Sequence, residues 1–396
     1  MFALYLTVLS LSPAASPPMV TDTASGEPMR GQVQALDKDW SVTLAGEPPA
    51  RIAGADLIAL HRADAKLPPY PGGAQVVFAN GDRLAGEVVA IVNERVTFKA
   101  RLAAGAGPLG TQELSIPLSA LAVVWFQSPT PEVARRWQTE RRRRDVVLLN
   151  NGDSRTGTIL GLKSAKDPLV LNEAGQDVAI DFGNIVALGV NTDLARTLRP
   201  RGQYARLVLA NGGRLSLAAA EADDHLLTGR TLFGAEVRIP WDQIPALRIF
   251  NGKAVYLSDL KPKAYQFTPF GSEYYPYQMD RSVDGGELRL TGNTYDKGVG
   301  LHSECRLTFS LGGAYRRFES LVGLNQDMGR QGSVRVHVLV DGVAKEISDQ
   351  ELTAANGPRA VRVDVTGGQE LTLIVEFGNG GPVQDHVDWA NARLVK

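Results

Sequence analysis

The residues that could carry out chemistry are few, and their spacing excludes several familiar kinds of site. The histidines show no HExxH-type metal spacing, and they stand at positions 61, 225, 302, 337 and 386. The single cysteine, Cys305, excludes an internal disulfide and a cysteine-based zinc site. Neither a GxSxG nucleophile turn nor a Walker loop is present. The acids Asp82, Asp153 and Asp242 fall in turn positions, where aspartate is ordinarily used. These patterns weaken several classes of enzyme.

Composition describes a folded chain rich in turns. Of 396 residues, 44% are apolar and 21% charged, which is normal for folded domains and argues against global disorder. The 41 glycines and 22 prolines follow no collagen-like period and favour a β-rich fold over a helical bundle. The 42 Lys and Arg nearly cancel the 43 Asp and Glu, so no net field attracts nucleic acid.

Two landmarks repeat along residues 20–250. Apolar runs flank Asn80-Gly81, Asn151-Gly152 and Asn211-Gly212, a pattern typical of β-hairpins, and residues 25–31 fit the same frame in degenerate form. A second landmark begins at Ile52, Ile116, Ile180 and Ile239, at intervals of 64, 64 and 59 residues. Two landmarks that share a period predict tandem small antiparallel, barrel-like β-units that pack on one another.

The two ends of this region carry other signals. Residues 2–11 form an apolar run too short for a bilayer, which needs about 20 residues, and small residues follow it. This pattern favours a signal peptide and export; the alternatives are an N-terminal strand or a misplaced start codon. Thr130 as N-cap and Pro131 at the first helical position predict a connecting helix, in which Glu140 pairs with Arg144. A second short helix is predicted at 193–199.

From about residue 251 the sequence contains clustered aromatic residues and short segments in which apolar and polar residues alternate. Val334, Val336, Val338 and Val340 share one face of a strand, and Asp341-Gly342 closes its turn. The aromatic residues are Tyr265, Phe267, Phe270, Tyr274, Tyr275 and Tyr277. Many short strands with glycine-rich turns predict a two-sheet β-sandwich of jelly-roll type.

The whole chain is therefore expected to be all-β, with tandem small antiparallel β-units followed by a C-terminal β-sandwich. The expected parts are a signal peptide-like segment at 1–18, β-units at 19–70, 74–126, 146–192 and 204–250, a connecting helix at 129–145 and the sandwich at 253–396.

Residues 254–396 resemble the NPCBM-type carbohydrate-binding module found beside family-98 glycoside hydrolases. The stretches that carry the resemblance are residues 255–260, 295–303, 311–318, 322–327, 332–342 and 385–394. The resemblance implies a jelly-roll sandwich, sugar binding in some members and often a structural calcium ion, and it does not imply catalysis. Relatives commonly carry two acids after Val-Gly, whereas here Asn325 and Gln326 precede Asp327. An amide binds calcium less strongly than a carboxylate does.

Sugar sites combine planar apolar faces with acids, amides or histidines that bond hydroxyl groups. On the resemblance, we expect such a site in loops that carry Tyr295, His302, Asn325, Asp327, Asp385 and His386. Each of these residues also has a structural interpretation: His302 stands in a glycine-bounded turn, and Asp385-His386 suits a loop network equally well. Trp389 is interpreted as a buried aromatic residue and Asp388 as an acid that caps a turn, rather than as a platform for a ligand.

The resulting hypothesis is an exported, non-catalytic carbohydrate-binding protein, located in the periplasm, at the cell surface or outside the cell. Its partner would be a polysaccharide or glycoconjugate, with no nucleic acid and no membrane span, and the β-units would serve as spacer or as a surface for a protein partner. The alternatives are a glycoside-hydrolase-associated enzyme subunit and a purely structural protein–protein interaction protein. An enzyme would need a catalytic domain, commonly a barrel of about 250 residues, and residues 20–250 show no βα alternation.

Overall fold

A computed structural model describes residues 16–63, 65–103, 109–347 and 350–396. Most of the predicted signal peptide-like segment, residues 1–15, lies outside the described residues. The all-β class is confirmed. In the N-terminal part the elements are β1 (Pro18–Thr23), β2 (Met29–Leu36), β3 (Val42–Leu44), β4 (Ala50–Ile52), β5 (Leu57–Arg62), β6 (Gln75–Phe78), β7 (Arg83–Val92), β8 (Arg95–Arg101), β9 (Thr111–Pro117), β10 (Leu121–Trp125), α1 (Pro131–Thr139), β11 (Asp145–Leu149), β12 (Ser154–Gly161), β13 (Leu169–Glu173), β14 (Gln176–Ile180), β15 (Ile185–Gly189), β16 (Tyr204–Val208), β17 (Arg214–Ala222), β18 (Leu226–Thr231), β19 (Glu236–Pro240) and β20 (Ala246–Phe250).

These twenty strands fall into four groups of five that share one pairing order. In each group the first four strands form an antiparallel meander, and the fifth strand returns to pair with the first. A short 3-10 turn precedes the fifth strand in the second, third and fourth groups. We refer to the four groups as the β-units.

The turns at Asn80-Gly81, Asn151-Gly152 and Asn211-Gly212 have the same geometry. The glycine N–H donates to the carbonyl three residues earlier, and the asparagine Oδ1 accepts from the N–H two residues later. The glycine φ values are 87°, 89° and 88°. Only the glycine, not the asparagine, takes a positive φ, so the loop is a type I turn followed by a left-handed residue.

The β-units associate in two pairs by the same contact. The fifth strand of the first unit pairs antiparallel with the fifth strand of the fourth, β5 with β20. The second and third units are joined in the same way, β10 with β15. In one pair the second strands also meet, through Leu36 and Ala222, and in the other Ile91 of β7 forms an isolated bridge with Leu162, which directly follows β12. One apolar core runs through all four units, because small barrels bury too little surface alone.

Helix α1 begins where the sequence predicts but ends early. Thr130 Oγ1 accepts from Val133 N at 3.4 Å, and Trp137 packs on Trp125. The predicted extent to residue 145 is wrong, since the helix ends at Thr139 and Glu140 is extended. Glu140 lies 4.0 Å from Arg136 rather than pairing with Arg144. The buried Arg142 side chain instead donates to the carbonyls of Trp137, Ala122 and Val190, which fixes the chain after the helix. The predicted helix at 193–199 is absent from this described segment, which is a turn and irregular chain.

The C-terminal part is a sandwich of two antiparallel sheets. Its strands are β21 (Ala254–Tyr256), β22 (Ala264–Phe267), β23 (Gln278–Met279), β24 (Leu288–Leu290), β25 (Asn293–Tyr295), β26 (Gly298–His302), β27 (Cys305–Ser310), β28 (Arg317–Leu324), β29 (Ser333–Val340), β30 (Val343–Ile347), β31 (Leu352–Thr353), β32 (Arg359–Asp364), β33 (Glu370–Phe377) and β34 (His386–Val395). One sheet has the order β23-β26-β34-β28-β32 with β21 beside β34, and the other has β22-β27-β33-β29-β30 with β31 beside β29. Alternate residues of both sheets, Cys305 and Trp389 among them, fill the core between them.

One end of the sandwich gathers the loops that matter below. Strands β22, β26, β28 and β33 finish there, while β27, β29 and β34 start there. We call it the loop end. The β29–β30 hairpin at Asp341-Gly342 lies at the opposite end.

Buried ion pairs join the sandwich to the β-units. Asp296 of the sandwich accepts from Arg214 at 2.7 Å and from Arg248 at 2.8 Å, and all three side chains are almost completely buried. Arg393 pairs with Asp22 of the first unit at 3.0 Å. Removing one member of such a set leaves an uncompensated buried charge, so these pairs hold the two parts in a fixed arrangement.

Candidate functional site

Aromatic side chains cluster at the loop end of the sandwich. Phe270 and Tyr274 are 71% and 64% exposed, and both belong to the loop between β22 and β23. Phe267 contacts Tyr274 and Tyr275 edge to face, and Phe270 contacts Phe377. We call Phe267, Phe270, Tyr274 and Tyr275 the aromatic platform. Exposed apolar patches on a protein surface are often interaction sites, which makes the aromatic platform a candidate binding surface.

Two histidines lie beneath the aromatic platform. The His302 ring stacks on Tyr275 with centroids 4.0 Å apart and planes at 5°, and its Nδ1 lies 2.6 Å from the Ser303 carbonyl oxygen. The His386 ring is 5.3 Å from His302 and 5.9 Å from Tyr275. Burial lowers the pKa of both histidines, and for His386 the neighbouring His302 lowers the pKa further. Both shifts favour the neutral form of the ring, and among the described residues His386 Nδ1 has no hydrogen-bond partner.

Asp385 connects the loops under this cluster. Its carboxylate accepts from Ser303 Oγ at 2.5 Å and from Ser333 N at 3.0 Å. Burial raises the pKa of Asp385 to about 6. Ser303 follows β26, Ser333 begins β29 and Asp385 precedes β34, so a single carboxylate joins three segments.

Asn325 and Asp327 lie apart from the histidines. Asn325 Oδ1 accepts from Asp327 N, while its Nδ2 donates at 2.7 Å to Asp388 Oδ2 and at 2.7 Å to the Glu287 carbonyl. Asp327 pairs with Arg289 at 3.1 Å. Asp388 is fully buried within β34, and burial raises its pKa to about 8.

The side chains at this position do not fit a calcium ion. Calcium needs six to eight oxygen ligands, commonly from carboxylates. Here Asn325 Oδ1 caps a short turn, Gln326 Oε1 accepts from Gly292 N, and the Asp327 carboxylate is held by Arg289. In the part of the chain that the structure describes, no group of three or more His, Cys, Asp or Glu side chains could hold a metal ion.

Tyr295 belongs to a third place, the boundary with the β-units. It is 8% exposed and packs with Leu288, Leu290 and Ala390. Together with Asp327 it lines a cleft between the sandwich and the β-units.

The six predicted site residues are thus divided. His302, Asp385 and His386 meet at the loop end, Tyr295 and Asp327 line the cleft, and Asn325 lies behind it. Sequence reasoning did not name Phe270, Tyr274 and Tyr275 as site residues. The clustering of aromatic residues between β22 and β23 in the sequence could have indicated them.

The C-terminal part is thus a two-sheet β-sandwich with clustered aromatic side chains at its loop end. Residues 253–395 match the family model described as "NPCBM/NEW2 domain", and this part of the chain belongs to that family. The predicted resemblance is confirmed.

Several known proteins are similar to part of this chain. A CBM51 module from Clostridium perfringens GH95, solved in complex with methyl-galactose, is 31% identical; the match covers 36% of this chain and 99% of that one, with a TM-score of 0.33. A Clostridium perfringens ZmpB structure with CBM51-2 in complex with GlcNAc is 22% identical over 46% of this chain and 44% of that one, with a TM-score of 0.34. A Renibacterium salmoninarum protein that carries the name of an endo-alpha-N-acetylgalactosaminidase is 26% identical over 112 residues, which are 28% of this chain and 7% of that protein. The chain thus spans less than a tenth of that curated relative.

Proposed function

We propose that the protein binds carbohydrate at the loop end of its C-terminal sandwich and does not cleave it. The observation that carries this proposal is the aromatic platform, in which the Phe270 and Tyr274 side chains are exposed and the Tyr275 ring packs against His386. The carbohydrate-binding family of residues 253–395 supports the same role.

The residues of the loop end suit a sugar. A pyranose ring has an apolar C–H face that packs on an aromatic ring, and Tyr274 or Phe270 offers such a face. The His386 side chain is almost buried and its ring centroid lies 5.9 Å from that of Tyr275, so it supports the platform from beneath. Asp385 then acts as a positioning residue, because its carboxylate is occupied by Ser303 and Ser333.

Galactose-type and N-acetylglucosamine-type sugars are the first ligands to test. Two similar structures were solved with methyl-galactose and with GlcNAc. A shallow site makes few contacts, so we expect dissociation constants in the micromolar to millimolar range, or about −4 to −8 kcal/mol.

The test is calorimetric titration of the full chain with methyl-galactose and N-acetylglucosamine, followed by a glycan array. Tyr274→Ala should weaken binding about tenfold, because loss of one stacked ring removes about 1 kcal/mol or more. Val343→Ala is the matched control: Val343 is 59% exposed but lies at the hairpin end. Equal affinities for Tyr274→Ala, Phe270→Ala and the parent would refute the proposal.

The β-units would act as a rigid support that presents the sandwich, and we propose that each is one domain unit. The buried ion pairs of Asp296 support this role over that of a flexible spacer. We also propose that the protein is exported, in line with the apolar run at residues 2–11. Within the described residues, no helix has the length and apolar character needed to cross a membrane.

A further inference from the structure

The second and third β-units carry the exposed large apolar side chains of the N-terminal part. In the described β-units and their connections, these side chains are Leu194, Val92 and Leu160, which are 66%, 50% and 49% exposed. Val92 ends β7, Leu160 stands at a bulge in β12, and Leu194 lies in the turn after β15. The three residues are far apart in sequence, so their relation depends on how these segments pack.

Asp145 joins the segments that carry the two leucines. Its buried carboxylate accepts from Ile159 N at 3.0 Å and from Asn191 N at 2.8 Å. Leu160 directly follows Ile159, and Leu194 N donates to the Asn191 carbonyl. Both exposed leucines are therefore close to the start of β11.

The turn between β7 and β8 completes a circuit of hydrogen-bonded segments. Ile91 and Leu162 exchange two backbone hydrogen bonds, which brings Val92 next to the end of β12. The Glu94 carbonyl accepts from the 3-10 turn before β10, and that 3-10 turn accepts from Arg196 N at 2.6 Å. The circuit returns in this way to the segment of Leu194, so the three exposed apolar side chains belong to one surface.

Cations without an acidic partner lie on the same segments. They are exposed and form no ion pair within the part of the chain that the structure describes; they are Arg143, Arg144, Lys163 and Arg196. Arg143 and Arg144 immediately precede Asp145, and Arg196 follows Leu194 by two positions. We call these four cations together with Val92, Leu160 and Leu194 the basic face.

The acids of the circuit do not cancel this positive charge. Each of them has an arginine beside it: Asp193 lies 2.9 Å from Arg141, Glu94 precedes Arg95, and Asp145 interacts electrostatically with Arg142. The charges of the four unpaired cations therefore remain on the surface.

This arrangement fits a lipid surface better than a protein partner. A protein interface has an apolar centre from which charged residues are depleted. On the basic face the order is the reverse, because Arg143 and Arg144 lie between the segments of Leu160 and Leu194. At a membrane surface, arginine and lysine are attracted to anionic lipids while neighbouring apolar side chains enter the boundary between headgroups and acyl chains.

We propose that the basic face binds the surface of a membrane that contains anionic phospholipid. Its cations would contact lipid phosphate groups, and Val92, Leu160 and Leu194 would enter the headgroup region. The contact uses no residue of the loop end, so it goes beyond carbohydrate binding and is tested separately from it.

The test is co-sedimentation of the full chain with vesicles of phosphatidylcholine alone and with vesicles of one part phosphatidylglycerol to two parts phosphatidylcholine. We expect the anionic vesicles to bind at least about tenfold more tightly, with an affinity that falls as salt rises. Soluble polyglutamate should bind at least about tenfold more weakly than the anionic vesicles, because it offers charge without an acyl layer.

The double variant Arg143→Gln/Arg144→Gln should weaken binding to anionic vesicles about tenfold or more, and Leu194→Ala should weaken it about threefold or more. The matched control is Arg230→Gln/Arg306→Gln, because both arginines are exposed on strands outside the circuit. All of the changed side chains are exposed, and thermal unfolding checks that each variant is folded.

Tyr274→Ala separates the basic face from the aromatic platform, and we expect it to bind vesicles like the parent. Any of these results would overturn the proposal: equal binding of the two kinds of vesicle, no binding of either, or parent-like binding by the arginine double variant or by Leu194→Ala. Polyglutamate that binds as tightly as the vesicles would also overturn it, by identifying a general polyanion surface. Loss of vesicle binding in Tyr274→Ala would locate the membrane contact at the loop end instead.

Discussion

Three turns with the same geometry allow backbone strain to be separated from steric collision. Gly81, Gly152 and Gly212 have φ values of 87°, 89° and 88°. A Cβ added at Gly81 or Gly152 would meet nothing within 4 Å. A Cβ added at Gly212 would lie 2.1 Å from the Pro69 carbonyl oxygen. The substitution Gly212→Ala therefore adds a collision to the strain that all three positions share.

The magnitudes follow from these two contributions. An alanine with a positive φ costs about 1–2 kcal/mol, and the lower entropy of the unfolded chain returns about 0.4–1 kcal/mol. We expect Gly152→Ala to destabilise by about 1 kcal/mol. Gly212→Ala must also displace the Pro69–Tyr70 backbone, and overpacking of this kind adds about 1–3 kcal/mol. Its total is about 2–4 kcal/mol.

Hydrogen–deuterium exchange by mass spectrometry suits this comparison, because a chain with several units need not unfold in one step. Peptides over residues 204–217 should lose protection in Gly212→Ala, whereas those over 145–157 should change less in Gly152→Ala. Urea denaturation provides the overall stability. Gly81→Val, which has open space but a β-branched side chain, should lose about 1 kcal/mol or more.

Equal destabilisation of Gly152→Ala and Gly212→Ala, within about 0.5 kcal/mol, would refute this reasoning. It would mean that the Pro69–Tyr70 backbone moves away from a Cβ at position 212 without a loss of folding free energy.

Other predictions concern buried charges and the N-terminus. Because burial raises the pKa of Asp388 to about 8, its contribution to stability is complete below about pH 4 and is lost as pH rises toward 8. Relative to Asp388→Asn, the parent should lose up to about 1.4 kcal/mol per pH unit in that window, and parallel pH profiles of urea stability for the two proteins would contradict this. Asp296→Asn leaves the charges of Arg214 and Arg248 uncompensated and should cost about 3–5 kcal/mol by the same assay, with a loss below 1 kcal/mol as the contrary result. If a leader is cleaved, N-terminal sequencing should find Ser16 retained, since its Oγ donates to Val33 O in the core, and a mature start after residue 16 would be the contrary result.

Local features were readable from the sequence. The Asn-Gly turns, the start of α1 at Thr130 and the alternation of Val334 to Val340 depend on residues within one turn or one strand. The all-β class and the C-terminal family followed from such patterns. The end of α1 did not, because the buried contacts of Arg142 join residues far apart in sequence.

The sequence predicted only part of the candidate site. Histidines, acids and amides in glycine-rich loops share their residue types with ligands, and the sequence does not say which of them are buried. The polar atoms of Asp385 and Asn325 form hydrogen bonds with neighbouring segments of the sandwich, whereas the Phe270 and Tyr274 side chains are exposed. A site residue is defined by what surrounds it, and that is a property of the packed chain.

The sequence by itself determined the strand periods, the hairpin turns and the family of residues 253–395, because short-range sterics and side-chain alternation decide them. Only the tertiary structure decided that Asp82, a turn residue in the sequence, accepts from Ser216 and pairs with Arg206 of another β-unit. It also decided that Arg83 and Arg281 face one cleft. The physical reason is that charges interact through space at distances set by packing. Arg83 and Arg281 are 198 positions apart in the sequence, so no local pattern encodes the distance between their side chains.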